Sequence, residues 1–172
     1  MTIIEDTGQK IGQHDNISSW CEQHGITLRR QKLNVGDYQS PPRVAVDTKK
    51  GMQEIYSDIV SDHWRFRNEC IRAQEDGIRL VILIEDEDIR TLEEAKKWLN
   101  PRYKKWERDT AFVIRAQKAG KMLDRKVPRP PVSSERLVGM MDAMTMRYGV
   151  EFMFCHPDDA GAVICKILKE GK

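Results

Sequence analysis

The chain alternates short apolar runs with stretches in which apolar residues recur at helical spacing. Thr2 to Asp6 predicts a short strand. Ile17, Trp20 and Cys21 recur at i, i+3, i+4, and Gly25 is placed to stop that helix. Ile26 to Leu33 predicts an extended segment that runs on to Asp37. A loop from Gln39 to Arg43, with two prolines, leads into a second strand from Val44 to Lys49. The loop is short enough for the two strands to be adjacent and antiparallel. After Gly51, Ile55 and Ile59 start a helix whose spacing continues loosely to Trp64. Phe66, Cys70 and Ala73 form the next helical stripe, closed at Gly77. Leu80 to Ile84 is an unbroken apolar run, as in a strand buried on both faces, and it ends in the acidic tip Glu85 to Asp88.

Thr91-x-x-Glu94 reads as a capping box opening a helix through Trp98, stopped by Asn100-Pro101. Val127 to Pro131 predicts an ordered or semi-rigid loop. Leu137, Met140, Met141, Met144 and Tyr148 mark another helix, with the methionines as core and Gly149 as its stop. Glu151 to Cys155 is a last strand, and Ala160 to Leu168 a final amphipathic helix with Asp158 and Asp159 at its start. Strands alternating with helices predict an α/β fold with a central mixed sheet covered on both sides.

Composition narrows the class. The 172 residues suit one domain with a sizeable core. With 40% hydrophobic and 33% charged residues the chain is ordinary for a globular protein. No apolar run approaches the roughly 18 residues of a membrane span, and the N-terminus lacks the features of a signal peptide. The four cysteines form no C-x-x-C, so they are expected as reduced core residues in a cytoplasmic protein. No histidine lies at ligand spacing to a cysteine pair, which argues against zinc.

The net charge of +2 is unevenly spread. From Pro101 to Arg129 there are ten Lys/Arg against Glu107, Asp109 and Asp124, giving that segment +7 and the rest of the chain −5. Such a segment is either a solvated helix face or an electrostatic footprint for a polyanion. Arg102, Lys104 and Lys105 interleave with Tyr103 and Trp106, the mixture that grips a phosphate backbone and stacks on bases. Aromatics in this setting also serve as packing residues.

Candidate chemistry sits on the hairpin. In a strand, residues i and i+2 share a face, so Asp47 and Lys49 project together while Val44, Val46 and Thr48 face the other way. The hairpin brings Asp37 within reach of Asp47. Two carboxylates and a lysine on a sheet suit a magnesium-dependent phosphodiesterase, the carboxylates holding a hard cation and the lysine orienting a water or a phosphoryl oxygen. By spacing alone the trio reads more readily as surface ion pairs on an antiparallel sheet. No glycine-rich phosphate loop follows a strand, which argues against a nucleotide-binding enzyme.

The pattern Asp37…Asp47-Thr48-Lys49 resembles the D-(x)n-D/E-x-K motif of restriction-endonuclease-like nucleases. Its surroundings are similar to the XPF-type structure-specific endonucleases: Ile3 to Thr7 to their first strand, Leu33 to Tyr38 to L-x-V-G-D-Y, Val46 to Lys49 to V-E-R-K, and Arg65 to Cys70 with Leu80 to Glu85 to the following helix and strand. The likeness runs from Ile3 to about Asp86 and resumes from about Leu137, so about 87–132 reads as a basic insertion into one nuclease domain spanning 1–172. The sequence departs from the family at Asp47, usually Glu, at Thr48, usually Arg, and at Gln9 and Gln53, both usually acidic.

The resemblance implies a restriction-endonuclease-like core and a Mg2+ (or Mn2+) dependent DNA endonuclease. It is expected to act on branched DNA in repair or recombination. Asp37 and Asp47 would ligate the metal with the Thr48 carbonyl, and Lys49 would act on the water. Arg65 is expected at a phosphate, and Asp6 and Glu54 are candidate additional acids. Family members dimerise through this domain, so a homodimer or a partner protein is implied as the source of junction specificity. Two alternatives stand beside this one: a catalytically inactive DNA-binding or partner-positioning module, favoured by Gln9 and Gln53, and a Holliday-junction resolvase.

Overall fold

A computed structural model describes residues 1–10, 12, 14–40, 43–120 and 126–170. Six strands form one sheet in the order β2-β1-β3-β4-β5-β6. They are β1 (Thr2–Asp6), β2 (Thr27–Gln31), β3 (Tyr38–Ser40), β4 (Val44–Lys50), β5 (Arg79–Glu85) and β6 (Glu151–Cys155). β1 and β2 run parallel, β3 is antiparallel to both β1 and β4, and β4, β5 and β6 are parallel. The mixed sheet expected from the alternation of elements is therefore present.

The helices divide between its two faces by the period-2 alternation of the central strands. Ala45, Leu80, Ile82 and Ile84 point into a core with α2 (Met52–Tyr56), α3 (His63–Glu75) and α6 (Ser134–Tyr148). Val44, Val46, Val81 and Leu83 point into a second core with α1 (Asp15–Gln23) and α7 (Ala160–Glu170). Leu80 to Ile84 is buried throughout because β5 is covered on both sides. Met141 and Met144 are core, as their spacing predicts. The four cysteines are buried and unpaired, and burial pushes the Cys21, Cys70 and Cys155 thiols up to about 12, which makes them inert packing residues.

Three expectations need correction. Ile26 to Asp37 is not one strand of a hairpin. β2 pairs with the outer side of β1, so the chain must cross the end of β1 to reach the slot beside β4. Residues 32–37 make that crossing, and the hairpin strand is the short β3 that follows Asp37. The two prolines of its turn, Pro41 and Pro42, lie outside the described residues.

The helix predicted from Ile55 to Trp64 is interrupted. After α2 the chain widens into a π-helical turn, Ser57–Ser61, and restarts at α3. The Thr91 capping box is present, but α4 (Leu92–Ala95) stops short of Trp98. Trp98 packs toward Tyr56, and its carbonyl accepts from the Ser134 hydroxyl instead of continuing the helical ladder.

Most of the basic segment is one helix, α5 (Arg102–Lys118). Its predicted charges Lys121, Asp124 and Arg125 lie outside the described residues. In the stretch before it, Ile89 and Ala95 are buried in the first core. Among the described residues no helix is long and apolar enough to cross a membrane.

Candidate active site

β4 is the platform. Asp47 and Lys49 share the face of Ala45, as the i, i+2 rule requires, but neither is a surface residue: Asp47 is 4% exposed and Lys49 is 8%. Charges buried this deeply persist only when paired. Lys49 Nζ lies 2.8 Å from Asp47 Oδ2 and 2.9 Å from Asp58 Oδ2. The lysine is thus sandwiched between a carboxylate of the strand and one of the π-helical turn.

Asp37 reaches the same place through its backbone. Its amide donates to the Val46 carbonyl (2.8 Å), and its own carbonyl accepts from the Asp6 amide (2.8 Å), tying the crossing loop to β4 and β1. Gly36 lets the chain pass this close. Its φ is +70°, and an added Cβ would stand 3.0 Å from the Val46 carbonyl oxygen. Asp37 Oδ2 accepts from the Thr48 amide (2.8 Å) and the Thr48 hydroxyl (2.7 Å). Thr48 therefore orients Asp37.

A cleft of about 320 Å3 gathers Asp37, Asp47, Thr48 and Lys49 with Asp6, Gln9, Glu54, Arg65, Glu69 and the cations Lys32 and Arg72. Asp6 is committed to structure: its carboxylate accepts from the Leu33 amide (2.8 Å), the Gly8 amide and Lys32 (3.1 Å each). Burial opposes its ionisation, but these donors together hold it below the usual carboxylate range. Glu54 accepts from the Lys50 amide at the end of β4 (2.7 Å). Arg65 is exposed and reaches Asp58 at 3.3 Å.

The lining sets five carboxylates (Asp6, Asp37, Asp47, Glu54, Glu69) against four cations (Lys32, Lys49, Arg65, Arg72), a surplus of one negative charge. Burial raises the Asp47 carboxyl well above its ordinary value; Lys49 opposes the shift, while Asp37 and Glu69 reinforce it. Lys49 is raised as well: burial disfavours its charge, but Asp47 and Asp58 outweigh burial. A cleft of this kind favours an added cation, and its oxygen donors suit a hard one. The residues therefore fit a divalent metal, although among the described residues no three His, Cys, Asp or Glu side chains form a ready cage.

Sequence reasoning missed Asp58 and Glu69. Glu69 faces the cleft and accepts from the Gly36 amide (2.9 Å). The signal was available. Asp58 sits with Ile55 and Ile59 at i, i+3, i+4, and Glu69 lies between Phe66 and Cys70, so each is an acid on or beside a buried stripe.

The predicted DNA-binding residues separate into two groups. Lys104 and Lys105 are exposed. Arg102 donates to the Ser57 hydroxyl (2.9 Å) and lies over the Tyr56 ring at 4.2 Å, bracing the π-helical turn. Trp106 is half-buried and donates its indole N–H to the Pro128 carbonyl (2.8 Å), and Tyr103 bonds the Pro131 carbonyl, so both aromatics fasten the segment that returns from α5.

A family profile described as ERCC4 domain matches residues 6–167. Two solved structures of XPF from Aeropyrum pernix are similar to the chain. The one in complex with DNA has a TM-score of 0.62 at 17% identity, covering 99% of this chain and 64% of that chain. The other has a TM-score of 0.60 at 17% identity, covering 99% and 65%. The chain thus spans just under two thirds of their length. No curated protein matches it.

Proposed function

The chain belongs to the ERCC4-domain family, and on that premise we propose that it is a divalent-metal-dependent DNA endonuclease acting on branched or otherwise structured DNA. The observation that carries the reading is the convergence of Asp37, Asp47 and Lys49 in one cleft with a surplus of negative charge. The XPF structure bound to DNA supports the choice of ligand.

Asp37 and Asp47, with the Thr48 carbonyl, are the residues that would hold Mg2+ or Mn2+. Such an ion, when bound, activates water and steadies the charge that builds on the phosphate. Thr48 keeps Asp37 turned toward the cleft through two hydrogen bonds. Lys49 orients the attacking water or a phosphoryl oxygen as a point charge. Attack would form a P–O bond from the water oxygen and break a P–O ester bond of the DNA strand, the water giving up a proton to solvent and the departing oxygen taking one up. Arg65 is largely exposed beside its contact with Asp58, which leaves guanidinium N–H groups to meet a flanking phosphate, and Lys104 and Lys105 add salt-sensitive affinity for the backbone.

Cleavage of labelled linear, flap, fork and four-way DNAs with Mg2+ or Mn2+ tests the reading, with Asp47→Ala and Lys49→Ala beside the wild type. Metal-dependent cutting lost in both variants, with folding and DNA binding retained, is expected. Gln9 and Gln53, where the family carries acids, favour one rival, a module that binds DNA without cutting. Salt-sensitive binding with no cutting under either metal would establish that rival instead.

A further inference from the structure

Lys49 and a metal ion would compete for one carboxylate. On the nuclease reading, on which this inference rests, Asp47 must offer an oxygen to a divalent cation, yet Asp47 Oδ2 lies 2.8 Å from Lys49 Nζ. A double positive charge there repels the ammonium that sits against the same oxygen. Lys49 needs a second anchor if it is to stay at the cleft.

Asp58 has the properties of that anchor. Its Oδ2 is 2.9 Å from Lys49 Nζ, and its side chain is 4% exposed. It belongs to the π-helical turn rather than to β4, so it does not move with Asp47. π-Turns inserted between α-helical segments often mark functional positions. The turn is braced from outside, because Arg102 of α5 donates to Ser57 and covers Tyr56. On its other oxygen Asp58 meets Arg65.

We propose that Asp58 is a positioning residue for Lys49, retaining the ammonium at the cleft when Asp47 is engaged by a divalent cation. Asp58 touches neither water nor phosphate; it acts only through Lys49. The arrangement also assigns a purpose to the contact between the basic helix and the turn, which fixes the height of Asp58 beneath the cleft.

The test is metal binding without DNA, read by Mn2+ electron paramagnetic resonance on wild type, Asp58→Asn, Lys49→Met and the double variant. Asp58→Asn is expected to weaken Mn2+ binding about tenfold, because Lys49 then falls back on Asp47, and to have no effect in the Lys49→Met background, a coupling typical of contacting charges. Equal weakening in both backgrounds would mean that Asp58 acts as a bulk charge, and would overturn the proposal.

Because Lys49→Met is prone to instability, a second measurement uses the Lys49 ammonium signal in 15N-lysine spectra. The signal should survive saturating Mg2+ in the wild type and vanish in Asp58→Asn. Its loss in the wild type would refute the retention. Absence of any Mn2+ binding by the wild type would instead sink the nuclease reading itself.

Discussion

Replacing Lys49 by methionine keeps the bulk of the side chain and removes only the ammonium. Two carboxylates, 2.8 and 2.9 Å from it and nearly sealed from solvent, are then left without their cation. Breaking a buried pair of this kind costs about 3–5 kcal/mol. Asp47 can take up a proton, because its carboxyl is already raised by burial and by its acidic neighbours. The lower end, about 3 kcal/mol, is therefore expected, a fall of about 1.5 M in the urea midpoint for an m-value of about 2 kcal/mol/M.

The sign with pH follows from the same group. An acid raised in the folded state binds its proton more tightly there, so the variant should gain on the wild type as pH is lowered. Changing Asp47→Asn and Asp58→Asn as well should recover most of the loss, since a neutral buried trio leaves no charge uncompensated. Urea denaturation followed by circular dichroism reads both effects. A cost below about 1 kcal/mol, the worth of an exposed ion pair, or a triple variant no more stable than the single one, would refute the buried-triad account.

Gly36→Ala forces a side chain into a left-handed backbone and against the Val46 carbonyl; a loss of about 2 kcal/mol is expected, with DNA cleavage falling further because Asp37 follows the same loop. Charge reversal at Lys104 and Lys105 should weaken DNA binding and flatten its dependence on log salt by about 0.9 for each phosphate no longer neutralised, measured by fluorescence anisotropy. Arg79 forks Glu151 with two bonds of 2.7 Å and, against burial, holds that carboxyl below its usual range. Such a depressed acid adds stability above its unfolded value and loses it as pH falls through the folded one, so Arg79→Met should matter near neutrality and not in acid. With 37% and 41% of the two side chains exposed, the thermal-melt effect should stay within about 1 kcal/mol.

Sequence alone determined whatever depends on local periodicity. The i, i+2 spacing put Asp47 and Lys49 on one face of β4, and the unbroken Leu80 to Ile84 run marked a strand covered on both sides. Thr91 with Glu94 and Gly149 marked a helix start and a helix stop. These follow from steric repeats within a few residues.

Only the tertiary structure decided which of these faces meet. β2 and β3 are separated by a crossing over β1, and nothing in the period of residues 26–37 reports on which side of β1 the chain will pair. Glu69 joins Gly36 across 33 positions of sequence, and Asp58 faces Lys49 only because a π-helical turn interrupts the helix there. Side-chain direction is a property of the local backbone, whereas the meeting of two elements is set by the packing of the whole sheet and its helices. The pairing of Asp47 with Lys49 was legible in the strand; the acids that hold its lysine and crowd its carboxylate came from the helices packed above it.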